Sequence, residues 1–401
     1  MANQSFTPVP ASFLPENADP CAHVLPDMGR FILVGIAGTA IALISSFENG
    51  FLFFAWITNP HRRASHYLYL ILLAACDAFI SVSYILLIAV NLFMDWFKVQ
   101  LLVDIWWLYM VPMLAISHAA MTTSSFFITS ATLERFVVTS KTNNQFLNRI
   151  TEHRIFISVL CVGFGFVCKG PILIEIEVAK NGNCTGLSEY FADLSALAKN
   201  EIYNSVFRFW FRNIATVIVP FFACLVFNMR IIKVNIRAAT RMLVLVVCTY
   251  LTANVLNVVV TVWEFVDNAS LFLPQYRQFY AYSADIISLL TIVASSLRLP
   301  IYCACNLSIR NELTLQLKRL ALRCFCLGAK QQRLAENSAG DTELLVFANG
   351  NTPESRRKRV TGTDFDKFAL ALALRGTAVG VAVKKESVPS PVESIQRELL
   401  V

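Results

Sequence analysis

Thr132-Leu133-Glu134-Arg135-Phe136-Val137-Val138 closes the third of seven long apolar runs in this chain, and its reading decides the fold. Alone, the triplet Glu134-Arg135-Phe136 says little, because Glu-Arg pairs are common at helix ends and most are solvated surface. Its weight comes from position. The runs extend from Phe31 to Ile57, Tyr67 to Met94, Ile105 to Thr139, Ile155 to Ile176, Trp210 to Phe227, Met242 to Phe265 and Phe279 to Cys303. A bilayer core takes about 20 apolar residues per helix, so the reading is an all-α, seven-transmembrane helix bundle.

Composition agrees with that class. Of 401 residues, 56% are hydrophobic and 15% charged, whereas a water-soluble domain carries about 25% charged residues. Basic residues stay on the cytosolic side. The linkers after the first, third and fifth runs hold Arg62 and Arg63, then Lys141, Arg149 and Arg154, then Arg230, Lys233, Arg237 and Arg241. The opposite side holds Glu16, Asp19, Asp27, Asp95, Asp104, Glu189, Asp193 and Asp267, which places the N-terminus outside. The sequons at Asn3, Asn183 and Asn268 fall on that face, where glycosylation occurs. A fourth at Asn306 lies inside and is expected to go unused.

Four segments follow: an extracellular stretch 1–30, the seven-helix domain 31–303, an amphipathic membrane-surface helix 304–327 and a disordered cytoplasmic tail 328–401. In the third of these, Leu313, Leu317 and Leu320 recur at helical spacing among Arg310, Lys318, Arg319 and Arg323, as on a helix lying on the inner leaflet. Cys324 and Cys326 are its juxtamembrane palmitoylation candidates. The tail is rich in Ser, Thr, Gly and charge, and its run Arg356-Arg357-Lys358-Arg359 reads as membrane-attracted. Its last residues, Leu399-Leu400-Val401, match a weak PDZ-groove pattern. Enzymatic chemistry is not indicated: five histidines are scattered, no Cys or His cluster has metal spacing and no Gly-rich phosphate loop follows a strand. Neither a cofactor nor a nucleic-acid partner is expected.

The order of marker residues resembles the rhodopsin-like G-protein-coupled receptors across nearly the whole membrane part. Asn49 and Asp77 stand 28 residues apart, as that family's polar markers do. Glu134-Arg135-Phe136 resembles its acid-Arg-aromatic triplet, Pro171 and Pro220 fall where its fourth and fifth helices bend, and Pro300-Ile301-Tyr302 resembles the end of its seventh-helix motif. The short third inner linker looks more like the peptide-receptor branch, particularly invertebrate neuropeptide receptors. The resemblance implies a plasma-membrane receptor that binds an extracellular ligand and activates a heterotrimeric G protein, with arrestin and a PDZ protein as further tail partners. It also implies that Glu134 pairs with Arg135 at rest and that Arg135 is released on activation to meet the G protein. Three departures stand out: no tryptophan lies in the middle of the fourth helix, Val255 occupies the place of the sixth-helix proline, and the seventh-helix motif lacks its asparagine. A helix without proline keeps its backbone bonds and bends less.

For the ligand, His118, Arg208, Arg212, Glu264 and Asp285 are expected to converge in the outer halves of the helices, walled by Trp106, Trp107, Tyr109, Trp210 and Trp263. Arg212, a turn deeper than Arg208, is the leading anchor. The competing reading makes these residues an aromatic belt with snorkelling arginines. A peptide is the expected ligand and a small acidic molecule the alternative; a transporter and a non-signalling scaffold are the rivals from other classes. The resembled family ties its third helix to the second outer loop by a disulfide, but no cysteine lies between Cys76 and Cys161. Cys184 is therefore expected to bond Cys21, the other cysteine on the oxidising face, unless one or both stay free. Arg298, four residues before Tyr302, stands where the family's asparagine helps Asp77 hold sodium. Either its guanidinium replaces the sodium as the partner of Asp77, or it snorkels to the cytosol.

Overall fold

In a computed structural model of the chain, the described residues are Cys21, 27–59, 67–140, 153–233, 238–266, 274–319 and Leu322, excepting the side chains of 238–240, 264–265, 274–278 and 281. They contain seven helices long and apolar enough to cross a membrane. We number these α1 (Met28–Ile57), α2 (Leu68–Phe97), α3 (Gln100–Ser140), α4 (Arg154–Glu175), α5 (Tyr203–Lys233), α6 (Arg241–Trp263) and α7 (Tyr282–Cys305). Their outward faces carry large apolar side chains such as Phe47, Phe54, Leu108, Ile155 and Val159, as a lipid-facing surface requires. The chain is a multi-pass membrane protein with a helical bundle.

The bundle is helical, as expected, and the described residues add one short hairpin outside the seven helices. After α4 the chain forms an antiparallel hairpin of β1 (Ile176–Lys180) and β2 (Tyr190–Leu194), paired Ile176 to Leu194 and Lys180 to Tyr190. Its inner residue Ala192 is buried beside Met94, Trp106 and Met110. At the exposed rim, Glu189 raises the pKa of Lys180, which also lies 4.8 Å over the Tyr190 ring. A hydrogen bond from Lys199 holds the Asp193 carboxyl below its ordinary value.

Helix ends depart from the apolar runs where polar residues have partners. Only Lys98 and Val99 separate α2 from α3, and Lys98 makes the turn with a left-handed φ of 55°. α3 runs on through Pro112 for 41 residues. α5 starts at Tyr203, seven residues before the apolar run does, because Arg208 and Arg212 point inward. That first stretch, Tyr203–Phe211, is wound as a π-helix, and Ile214–Ile218 is wound likewise just before Pro220. Proline has no N–H and clashes with the carbonyl four residues back, here that of Thr216. The expected fourth-helix bend also has a local form: α4 pauses at Gly170-Pro171 and resumes over Ile172–Glu175. The sixth helix, without a proline, is continuous over Ala238–Val266.

The main core gathers Trp56, Tyr69, Leu73, Phe127, Ile128, Val246, Val247, Tyr250 and Tyr302 in the half of the bundle that holds the triplet. Beyond Cys305, Asn306 accepts hydrogen bonds from the backbone N–H groups of Ser308 and Ile309 and so caps α8 (307–319). α8 is amphipathic as expected, but its anchors are Ile309 and Leu313, both in the core, while Leu317 is exposed. The expectations for Asn3, Asn268, Leu320, Cys324, Cys326 and the tail lie outside the described residues.

Candidate functional site

Three polar clusters are built into an otherwise apolar bundle, one at each end and one between. At the triplet end, the Glu134 carboxylate accepts three hydrogen bonds from Arg154 at the start of α4, from Nε at 3.1 and 3.2 Å and from one terminal nitrogen at 2.9 Å. Glu134 is buried and Arg154 part-exposed. This corrects the expected pairing of Glu134 with Arg135. The reason is geometric: consecutive residues on a helix point about 100° apart, so Glu134 faces α4 while its neighbour faces elsewhere. Arg135 is half-buried. Phe136 stacks on Phe227 of α5 at 5.5 Å, and Tyr302 is fully buried against Trp56.

In the middle, Asp77 and Arg298 form a buried ion pair whose side chains are 1% and 6% exposed. Ser124 donates to the other oxygen of Asp77 at 3.4 Å. The Ser81 hydroxyl lies 2.8 Å from both the Ser45 hydroxyl and the Asp77 carbonyl, and donates its one proton to the carbonyl while accepting from Ser45. Asn49 donates to the carbonyls of Ser45 at 2.9 Å and Ser295 at 3.1 Å. One polar layer thus ties together α1, α2, α3 and α7, and the snorkelling alternative for Arg298 is overturned. A guanidinium buried in hydrocarbon is held most cheaply by a carboxylate at its own depth.

At the hairpin end, Cys21 and Cys184 are disulfide-bonded with Cα atoms 5.4 Å apart, so the free-thiol alternative also falls. Asn183, beside the bridge, is exposed. The expected convergence of ligand residues is only partial. Arg212 and Arg208 both face Glu175, the last residue of α4. One Arg212 nitrogen donates to each Glu175 oxygen at 2.9 Å, and Tyr203 donates to Glu175 at 2.8 Å. Arg208 is looser: its Nε stands 3.6 Å from Glu175, and a terminal nitrogen donates to Asn204 at 3.3 Å. His118 lies within electrostatic reach of Arg212 and of Lys169. Asp285 does not join them; Arg30 donates to its two oxygens at 2.6 and 3.2 Å, tying α1 to α7. Trp107 stacks with Tyr190 of the hairpin, whereas Trp210 is 47% exposed on the lipid-facing side. The side chain of Glu264 lies outside the described residues. Among the described residues, no group of His, Cys, Asp and Glu could hold a metal ion.

The sequence reading did not single out Glu175, Arg154 and Arg30 as partners. Glu175 carried a signal, since an acid inside an apolar run is a functional candidate by default. Arg154 sits at a run end, where basic residues are read as topology markers, and Arg30, the last residue of the outer stretch, carried no signal. Compared with known proteins, the chain matches no family model and no curated protein.

Proposed function

We propose that this protein is a G-protein-coupled receptor of the rhodopsin-like kind, which binds an extracellular ligand, most simply a peptide, and activates a heterotrimeric G protein from the plasma membrane. The observation that carries the reading is the triplet end. There the longest helix closes on Glu134-Arg135-Phe136, its acid clamped by α4, its aromatic stacked on α5, and its arginine held by neither bond. In this reading Arg135 is the residue that meets the G protein. Asn49, Asp77 and Arg298 form the connector between ligand end and coupling end, and the cluster of Glu175, Arg208 and Arg212 borders the ligand site.

The test is a reconstituted nucleotide-exchange assay with peptide panels, run on the parent chain and on Arg135→Ala. Exchange should be lost in the variant while surface delivery and ligand binding persist. Normal exchange by Arg135→Ala would refute the coupling role. The cationic cluster favours a second reading of the ligand alone, as a small acid.

A further inference from the structure

The two guanidiniums at the top of α5 share one carboxylate. Arg212 takes both oxygens of Glu175, and the phenol of Tyr203 uses one of the same oxygens. Arg208 is left beyond hydrogen-bond distance of Glu175 at 3.6 Å. Its Nε is buried without a hydrogen-bond partner, although its side chain is 6% exposed. Glu175 is the one carboxylate that either arginine meets among the described residues, so the triad holds two positive charges against one negative. A buried charge in excess is costly unless a partner neutralises it, and a guanidinium with an unused edge is shaped to receive a carboxylate. Arg208 lies within the π-helical stretch Tyr203–Phe211, a form that recurs at functional sites, and Arg212 caps its end.

We infer that Arg208 is the anchor for a carboxylate on the extracellular ligand, and that Arg212 is the residue that positions Glu175 and not the anchor. The ligand is therefore an acid, either a small carboxylic acid or a peptide bearing a free carboxylate. Neutral and fully amidated ligands lack the group that completes the site. The inference rests on the receptor reading for the existence of an extracellular ligand, but the charge imbalance is a property of the folded chain and is testable without any G protein.

The experiment measures thermal unfolding of the purified full chain in lipid nanodiscs, for the parent, Arg208→Gln, Arg208→Lys and Arg212→Gln. Without added acid, Arg208→Gln should melt about 2–4 °C above the parent, since it removes the excess cation. Arg208→Lys should match the parent, and Arg212→Gln should melt below it, because Glu175 then loses its two-pronged partner. Succinate, glutarate, benzoate and glycylglutamate are then added, each beside its fully amidated form, with inorganic phosphate and sulfate as further arms. At least one carboxylate should raise the melting temperature of the parent, its amide should not, and Arg208→Gln should abolish the effect. Protection by the small acids or by the dipeptide alone identifies which source of carboxylate the site takes. The inference is overturned if Arg208→Gln lowers the melting temperature as Arg212→Gln does, which would make Arg208 a structural member of the triad. It is overturned equally if amides protect as well as acids, if only phosphate or sulfate protects, if protection survives in Arg208→Gln, or if no carboxylate protects the parent. A failed exchange assay with intact carboxylate protection would count against the receptor reading alone.

Discussion

Replacing Asp77 by Asn leaves the Arg298 guanidinium 6% exposed in the middle of the bundle without the carboxylate it contacts. Exposed ion pairs are worth about 0–1 kcal/mol, but both members here are buried, and removing one partner of a buried pair costs about 3–5 kcal/mol. Ser124, at 3.4 Å and bonded to the other oxygen, offers little compensation. Arg298→Asn should be as harmful, since it strands a carboxylate that is 1% exposed. The double variant leaves no buried charge and places two amides where they can bond each other, so it should recover most of the loss, with a coupling of roughly 3 kcal/mol. In nanodiscs each single variant should melt roughly 6 °C or more below the parent, at about 2–4 °C per kcal/mol, and the double should lie well above both. Ligand affinity of the parent should be insensitive to sodium, because the guanidinium already neutralises Asp77. Additive losses in the double variant, or sodium-dependent binding by the parent, would refute the reasoning.

Arg154→Ala should cost about 1–3 kcal/mol by leaving buried Glu134 without its donors, and should raise basal nucleotide exchange because α3 and α4 lose their clamp; melting and unliganded exchange are the readouts. Gly165 of α4 packs so closely on α3 that an added Cβ would sit 2.9 Å from the Ala119 carbonyl oxygen, so Gly165→Ala should destabilise by about 1–3 kcal/mol, visible as a lower melting temperature; a neutral result would mean the two helices separate freely. Non-reducing peptide mapping should recover Cys21 joined to Cys184, and alkylation of both thiols in folded protein would contradict the bridge.

The seven helices were legible because length and apolarity are local properties, read directly from runs such as Tyr67 to Met94. The disulfide was legible by exclusion, since few cysteines lay outside the spans. The hairpin was not: β1 and β2 are short, and their pairing depends on a register that no local pattern expresses. The start of α5 was missed because Asn204 and Arg208 lower the hydropathy of its first turns, and only tertiary pairing with Glu175 accounts for the burial of Arg208. Likewise the triplet was found by position, but the partner of Glu134 depends on which way each side chain leaves the helix.

The hairpin is fastened at both ends. Its tip is bonded to Cys21 through Cys184, and its base is closed by the Ser195 N–H on the carbonyl of Glu175, with the Ser195 hydroxyl on that of Ile174. The two strands between are cross-bonded along their length, so one hydrogen-bonded ribbon runs from the loop that carries Cys184 down to Glu175. The bridge that tethers Cys21 is thus joined, through the loop that carries Cys184 and the paired strands, to the residue whose carboxylate holds Arg212.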